Sequence, residues 1–206
     1  VQDESSMLVA HVVDPQPGEL VLDVCSAPGG KTTHMAALME NRGRIVACDI
    51  YDHKLQRVME NAARLGINII DPMLKDAREI HQDFPQQADR VLVDAPCSGL
   101  GVLRRKPDSR WRKTQQLLKE LPELQLEILK SAAACVKPGG ILVYSTCTIA
   151  REENQTVVEN FLKDNADFQL EHTGSRLPVP REDAMVQLYP QRDGTDGFFI
   201  ACMRRK

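Results

Sequence analysis

The 206-residue sequence lacks the marks of several large classes of protein. Its longest apolar runs fall short of the about 20 residues that a membrane-spanning helix needs, and its first residues show no secretory signal pattern. The six cysteines form no Cys-x-x-Cys pair and no cluster with histidine at metal-ligand spacing, which argues against a zinc site and against a disulfide scaffold. We therefore expect a protein of the reducing cytoplasm, with no metal and no membrane partner.

Two nucleotide-binding motifs are also incomplete. The stretch CSAPGGK at 25–31 contains no Gly-x-Gly-x-x-Gly. It continues into GGKT, as a P-loop does, but Cys25 stands where a P-loop requires its first glycine, which argues against an ATPase. Pro28 and the two glycines instead predict a tight turn that opens a helix, whose free N–H groups favour an anionic group.

Apolar stretches alternate with helical ones along most of the chain. Continuous apolar residues indicate strands that are buried on both faces, and the alternation of strand and helix is typical of a doubly wound parallel sheet. We expect one α/β domain, with a helix over residues 122–136 and a long irregular stretch at 173–197. The predicted strands are ELVLDVCS (19–26), RIVACDI (44–50), INIIDPMLKDA (67–77), RVLVDAP (90–96), GILVYSTC (140–147), DFQLEH (167–172) and GFFIACMRR (197–205).

Acidic residues stand at the ends of three predicted strands. In open α/β sheets, ligands bind beyond the carboxyl ends of the strands. Asp49 follows the Gly-rich turn by about 20 residues, the offset at which a carboxylate binds ribose hydroxyls, although a helix N-cap role stays open. Asp76 fits either a contact on the base side of a nucleoside or a turn, and Asp94 ends the next strand. The sequence thus predicts a nucleoside site at this edge of the sheet.

Two cysteines follow neighbouring strands of the predicted sheet. Cys97 lies in DAPCSG (94–99) and Cys147 in STCTIA (145–150), each just past an apolar run. A single free cysteine in such a place is usually an inert packing residue, but two at adjacent strand ends predict a shared pocket. The cysteines at 48, 135 and 202 lie within or at the end of apolar elements, and we assign them to packing.

Basic residues are concentrated in one short segment, although the formal net charge is −3. The ten residues RRKPDSRWRK (104–113), here called the basic segment, contain six basic side chains and one acidic one. Such a patch favours a phosphate backbone as partner, and a solvated charged loop is the alternative. Because the segment closely follows Cys97, we expect it to bind RNA. The candidate contacts are Arg104, Arg105, Lys106, Arg110, Arg112 and Lys113.

Five stretches resemble one known family. VQDESS, CSAPGGKT, DAPCSGLGVLRRKPD, STCT followed by EEN, and DGFF are similar to the RNA cytosine-5 methyltransferases of the Fmu/Sun family, in particular the bacterial small-subunit ribosomal RNA type. The resemblance implies a Rossmann-like methyltransferase fold with a C-terminal antiparallel strand, S-adenosylmethionine as methyl donor, and ribosomal RNA as partner. It also implies that an upstream NusB-like RNA-binding domain precedes Val1. We expect a monomer.

The resemblance also implies residue roles. Cys147 matches the nucleophile of the family, and Cys97 matches its second cysteine, which assists product release. Asp49 would bind the ribose, Asp76 the adenine side, and Asp94 the methionine amino group; KDAR (75–78) departs from the expected GDGR. The loop residues that would hold the donor are Cys25, Ser26, Ala27, Pro28, Gly29, Gly30 and Lys31.

The chemistry of cytosine explains why two thiols are useful. Cytosine C5 is a poor nucleophile, and attack of a thiolate at C6 creates an enamine that can accept a methyl group at C5. Asp94 would stabilise the developing charge by a hydrogen bond to the base. Two alternatives remain open. A DNA cytosine-5 methyltransferase would use Cys97 as nucleophile, but its PCQ motif is missing. A ribosomal RNA-docking assembly factor would bind S-adenosylmethionine without turnover.

Overall fold

The computed structural model describes residues 2–112 and 114–206, with the side chains at 109, 110, 112, 115 and 117 left out of the description. An eight-stranded sheet forms its centre. The strands are β1 (Leu20–Asp23), β2 (Arg44–Asp49), β3 (Ile70–Leu74), β4 (Ala88–Asp94), β5 (Val136–Thr146), β6 (Phe168–Leu170), β7 (Val186–Leu188) and β8 (Phe198–Arg205). Their order in the sheet is β3-β2-β1-β4-β5-β8-β6, and β7 also pairs with β8. The strands from β3 to β5 in this order are parallel to one another, and β8 runs antiparallel to β5.

Helices cover both faces of the sheet. The helices are α1 (Glu4–Val13), α2 (Gly30–Leu38), α3 (Asp52–Arg64), α4 (Gln115–Cys135), α5 (Gln155–Asp164) and the short α6 (Pro190–Asp193). One apolar core lies between the sheet and helices α1 to α3. The other lies between the sheet and α4, α5 and the 3-10 turn Ala77–Gln82. The 3-10 turns span Ala77–Gln82, Leu100–Val102, Pro107–Arg112, Arg151–Glu153 and Thr173–Arg176.

Successive residues of the central strands alternate between the two cores. Leu22 and Val91 face one core, whereas Val21 and Leu92 face the other, and all four are fully buried. Burial on both faces is why these strands consist of continuous apolar residues. The predicted class, a mostly parallel α/β sheet with a C-terminal antiparallel strand, is confirmed.

Strand order reverses between β1 and β4. The chain winds from β1 outward to β2 and β3, then returns to β4 on the other side of β1. Loops at such a reversal separate and leave a crevice at the carboxyl ends of the strands. The Gly-rich loop after β1 and the segment after β4 border this crevice, and the loop after β5 lies next to them.

Three segments differ from the sequence expectation. The α1 helix was not anticipated; Asp3 caps it by accepting a hydrogen bond from the Ser5 N–H at 3.1 Å. The α4 helix begins at Gln115 and contains Pro122, which the sequence suggested as a starting residue. The stretch 173–197 is not irregular throughout, since it contains β7 and α6, and β7 extends the sheet by pairing with β8.

None of the described helices is long and apolar enough to cross a membrane.

Candidate active site

The Gly-rich loop is held in place from two sides. Ser26 donates its hydroxyl hydrogen to the Cys48 carbonyl at 3.0 Å, and Asn61 of α3 donates to the Pro28 carbonyl at 3.0 Å. The Ala27–Pro28 peptide bond is cis. Gly29 has φ +97°, and a Cβ there would lie 3.0 Å from the Cα of Val58, so both its backbone conformation and its packing require glycine. The loop therefore delivers the first turn of α2 to the crevice in a fixed position.

A buried carboxyl group forms a hydrogen bond with this first turn of α2. Asp23, at the end of β1, is 1% exposed and accepts a hydrogen bond from the Thr32 hydroxyl at 2.7 Å. Burial, with a smaller effect of the nearby Asp94 charge, raises the pKa of Asp23 to about 7. No side chain among the described residues caps the first N–H groups of α2. A cavity of about 420 Å³ borders this helix start, and Ser26, Pro28, Gly30, Lys31 and Asp94 are among the residues that line it.

Asp49 and Asp76 occupy different environments. Asp49 ends β2; its Oδ1 accepts a hydrogen bond from the Tyr51 N–H at 3.0 Å, and Lys54 Nζ lies 3.9 Å from the same oxygen. Tyr51, rather than Asp49, is the N-cap residue of α3. Asp76 lies beyond the end of β3, where it caps a 3-10 turn and is bound by the Arg78 guanidinium, which lowers the pKa of Asp76. An adenine-side contact by Asp76 would have to compete with Arg78, and that role stays a prediction.

Lys31 and Asp94 join the Gly-rich loop to the end of β4. Lys31 Nζ donates to Asp94 Oδ2 at 2.7 Å, and both side chains are largely shielded from solvent. The Ser145 hydroxyl, on β5, donates to Asp94 Oδ1 at 2.8 Å. Lys31 Nζ also lies 5.2 Å from the centre of the Phe198 ring. Asp94 is thus fixed by β5 and the Gly-rich loop, and the contribution of Ser145 was not foreseen.

The two predicted cysteines meet beyond the ends of β4 and β5. Cys97 and Cys147 are free thiols, each half-buried, with their sulfur atoms 3.3 Å apart. The hydrogen bond between them lowers the pKa of Cys147 and raises that of Cys97, so Cys147 loses its proton more readily than Cys97. Lys31 further lowers the pKa of Cys147, while burial and the Asp94 charge oppose this. Cys147 is therefore the more acidic thiol of the pair.

The other buried cysteines behave differently. Burial raises the pKa of Cys48 and Cys135 to about 12 and that of Cys202 to about 11, so all three stay protonated. Their assignment to packing agrees with their positions in the two cores. Among the residues that the structure describes, no group of three or more His, Cys, Asp or Glu side chains is arranged to hold a metal ion.

Backbone contacts lock three loops together beside the thiols. The Gly101 N–H donates to the Cys147 carbonyl at 3.0 Å, and the Gly197 N–H donates to the Gly101 carbonyl at 3.0 Å. A Cβ at Gly101 would overlap the Gly197 carbonyl group. Glycine is therefore required at 101 by this close approach of backbones, which brings the loop before β8 against the two cysteine loops.

The start of the basic segment binds acidic residues of the protein itself. Arg104 Nε donates to Asp196 Oδ1 at 2.7 Å, and Arg105 Nε donates to Asp196 Oδ2 at 2.8 Å. Arg104 also bonds Asp3 at 3.3 Å. Asp196 is 1% exposed, so the two arginines neutralise a buried charge, a role that the sequence did not suggest.

RNA binding by the basic segment stays a prediction. Arg104 and Arg105 remain partly exposed beside their ion pairs, and Lys106 is exposed. Lys113 lies outside the described residues, as do the side chains of Arg110 and Arg112.

Comparison with known sequences agrees with this arrangement. The family model of the 16S rRNA methyltransferase RsmB/F matches residues 10–204. The probable ribosomal RNA small subunit methyltransferase B of Bacillus subtilis (strain 168) is 48% identical over 212 residues, which cover 100% of this chain and 47% of that protein. The corresponding protein of Synechocystis is 42% identical over 210 residues, with the same coverage. The chain thus spans about half the length of these curated relatives.

Solved structures show the same fold. The crystal structure of NSun6 from Pyrococcus horikoshii with SFG is 34% identical, with a TM-score of 0.88, and the match covers 99% of this chain and 52% of that one. The protein in the crystal structure of PH0851 is 40% identical in sequence to this chain, with a TM-score of 0.94, and the match covers 100% of this chain and 46% of that one. The resemblance inferred from the five sequence stretches is confirmed. The chain belongs to the 16S rRNA methyltransferase RsmB/F family.

Proposed function

We propose that this chain is the catalytic domain of an S-adenosylmethionine-dependent RNA methyltransferase that methylates C5 of a cytosine in small-subunit ribosomal RNA. Family membership supports methyl transfer to this class of RNA. The observation that carries the cytosine-5 assignment is the pair of free thiols, 3.3 Å apart, in which the pKa of Cys147 is lowered. A base carbon that needs covalent activation requires such a thiolate, whereas methylation of a nitrogen or of a ribose oxygen does not.

The residues around the crevice fit the methyl donor. The uncapped start of α2 suits a carboxylate, and Asp49 suits two ribose hydroxyls, because its contacts with Tyr51 and Lys54 use Oδ1 and no hydrogen bond to Oδ2 is found among the described residues. The loop 25–31 together with Asp49, Asp76 and Asp94 would hold the donor. The related NSun6 structure carries SFG. When bound, S-adenosylmethionine supplies an electrophilic methyl group.

Cys147 is the nucleophile in this proposal. An ordinary free thiol, with a pKa of about 8.5, is only a few per cent ionised at neutral pH. The hydrogen bond from Cys97 and the positive charge of Lys31 increase the thiolate fraction of Cys147. Addition of this thiolate to cytosine C6 moves electron density to C5, which then can form a bond to carbon. The pKa order argues against the alternative in which Cys97 attacks first.

Asp94 positions the base and balances its charge. Both of its oxygens already accept one hydrogen bond, from Lys31 and from Ser145. A carboxylate oxygen has a second lone pair, so Asp94 can also accept a hydrogen bond from the exocyclic amine of cytosine or from a protonated N3. Because its position is set before the base arrives, little reorganisation is needed as charge develops.

Cys97 acts in the second half of the reaction. In the adduct, Cys147 is a neutral thioether, and the negative charge that raises the pKa of Cys97 is absent. Cys97 can then lose its proton to solvent and take the C5 proton, while the C6–S bond breaks and Cys147 leaves as a thiolate. The Cys97 thiol formed in this way again donates a hydrogen bond to Cys147, which restores the starting state.

The test is incorporation of label from S-adenosylmethionine into small-subunit ribosomal RNA, followed by digestion to nucleosides. We expect all label in 5-methylcytidine. Label in another nucleoside would contradict the proposed position. No label with a folded protein that still binds the RNA would favour the assembly-factor alternative, and preferred methylation of DNA would favour the DNA methyltransferase.

A further inference from the structure

Glu153 is a buried acidic residue that binds the residues next to both thiols. It ends the 3-10 turn Arg151–Glu153, six residues after Cys147, and its side chain has no solvent exposure. A carboxylate is buried in this way only where hydrogen bonds replace its hydration. The neighbouring Glu152, by contrast, is exposed.

The carboxylate of Glu153 binds both cysteine loops. Its Oε2 accepts a hydrogen bond from the Ser98 N–H at 2.8 Å, and its Oε1 accepts hydrogen bonds from the Ser98 hydroxyl and, at 3.3 Å, from the Thr148 hydroxyl. Ser98 directly follows Cys97, and Thr148 directly follows Cys147. The two hydroxyl groups also lie 2.8 Å from each other. One carboxylate group thus joins the residues next to the two thiols.

Other elements fix Glu153 itself. Gln125 of α4 donates to Glu153 Oε2 at 3.0 Å and to the Pro96 carbonyl at 2.9 Å. The Tyr144 hydroxyl, on β5, donates to the Glu153 carbonyl at 2.7 Å. Glu153 is therefore held through its carboxylate by α4 and through its backbone by β5, so a change in the length or shape of its side chain would alter the position of the cysteine loops.

We propose that Glu153 is a positioning residue that sets the distance between the thiols of Cys97 and Cys147, and so controls how fast the RNA adduct is released. The inference rests on the proposed function, because it concerns the same two thiols. Without the Glu153 carboxylate, Ser98 and Thr148 lose their common acceptor. The backbone hydrogen bond from Gly101 to the Cys147 carbonyl still joins the loops, but the segment at Cys97 and Ser98 is held less tightly, so the two sulfur atoms can move apart. Cys147 then loses the hydrogen bond from Cys97.

Four variants of the protein test this role. Glu153→Ala removes the common acceptor, and Glu153→Asp keeps the charge but shortens the side chain by one methylene group. Glu153→Gln keeps the shape, because its oxygen can accept from Ser98 N–H and Gln125 while its amide donates to the two hydroxyl groups, which can rotate. Glu152→Ala is the matched control on the adjacent exposed residue. Thermal unfolding identifies the variants that fold, and Glu153→Asp carries the test where Glu153→Ala does not fold.

The first measurement uses no RNA. Alkylation of Cys147 by iodoacetamide, followed by mass spectrometry, reports its thiolate fraction across pH. The charged or titratable groups that act on this thiolate are Cys97, Lys31, Asp94 and Arg105, and all four are unchanged in these variants. At pH 7 we expect alkylation to be about fivefold slower in Glu153→Ala and Glu153→Asp, as in Cys97→Ala, and unchanged in Glu153→Gln and Glu152→Ala. Equal rates in all variants would overturn the proposal.

The second measurement uses RNA and S-adenosylmethionine. We expect the fraction of protein trapped as an RNA adduct in a denaturing gel to rise about threefold or more in Glu153→Ala and Glu153→Asp. In Glu153→Gln this fraction should equal that of the protein without substitution. A rise of the same size in Glu152→Ala would overturn the proposal. If Cys97→Ala forms no adduct either, the proposed chemistry fails, while the alkylation result still decides whether Glu153 sets the thiol geometry.

Discussion

The loops that follow β4 and β5 carry the same chemical group but give it opposite properties. Each loop begins at the end of a parallel strand and contains one half-buried cysteine, and the two sulfur atoms lie 3.3 Å apart. The pKa is raised for Cys97 and lowered for Cys147. The chain then continues into the basic segment after Cys97 and into the buried Glu153 after Cys147. Their mutual hydrogen bond and the nearby charges, rather than residue type, thus separate the pKa values of the two thiols, and this difference is the basis for proposing Cys147 as the nucleophile.

Removing the thiolate gives the largest expected effect. Cys147→Ala should reduce methyl incorporation into RNA to background, a loss on the order of a thousandfold or more, because the remaining thiol, Cys97, has a raised pKa and is a poor substitute as nucleophile. Labelled S-adenosylmethionine and ribosomal RNA provide the assay. Cys135→Ala is the matched control, since Cys135 is buried away from the crevice and should leave the rate unchanged.

Removing the second thiol should have a different result. Cys97→Ala leaves the nucleophile in place but removes the group that takes the C5 proton, so a covalent protein–RNA complex should accumulate and turnover should fall by about a hundredfold. Gel electrophoresis under denaturing conditions detects the complex. A trapped complex that appears with Cys147→Ala instead would reverse the roles proposed for the two cysteines.

The charge of Lys31 accounts for part of the difference between the thiols. Lys31→Met removes a cation that lowers the pKa of Cys147 and leaves Asp94, which raises it. Less Cys147 is then ionised at a given pH, so the rising limb of the pH–rate profile should move to higher pH, and alkylation of Cys147 at pH 7 should slow by about fivefold. Lys130→Met, which removes a surface partner of Asp164, is the control. An unshifted profile would show that the hydrogen bond from Cys97 acts alone.

The contact between the basic segment and Asp196 should contribute mainly to stability. Asp196→Ala removes a buried acceptor of two charged hydrogen bonds and should lower the free energy of unfolding by about 2 kcal/mol. The melting temperature should then fall by about 4–8 °C in a domain of this size. Unchanged melting would mean that these ion pairs do not hold the loop before β8.

The smallest effect concerns RNA affinity. If Lys106 contacts a phosphate group, Lys106→Ala should lower the slope of log affinity against log salt concentration by about one. Filter binding at several salt concentrations measures the slope. A constant slope would assign Lys106 to a solvated surface, and the difference between the two loops would then lie in the pKa values of their cysteines.

The parts of the site that sequence could predict are those with a local signal. Pro28 and the glycines of the Gly-rich loop mark their own turn, and Asp49 stands at a fixed offset from it. The cysteines could be paired because parallel strands place their carboxyl ends at one edge of the sheet. Family resemblance added which of the two would attack.

The missed contacts join distant parts of the chain. Ser145 and Asp94 are 51 residues apart, Glu153 and Ser98 are 55 apart, and Asp196 and Arg104 are 92 apart. Serine and glutamate have no residue pattern that distinguishes such partners from exposed polar residues. The arginines illustrate the limit, since a basic segment predicts an anionic partner but does not show that a buried aspartate of the same chain binds two of its members.

The most direct test is to locate the covalent bond. The Cys97→Ala variant is incubated with RNA and S-adenosylmethionine, the trapped complex is digested with protease and nuclease, and the peptide that carries a nucleotide is sequenced by mass spectrometry. We predict a methylated cytidine on Cys147. A nucleotide attached to any other residue, or full methylation with no adduct under conditions in which the variant is folded, would contradict nucleophilic attack by Cys147.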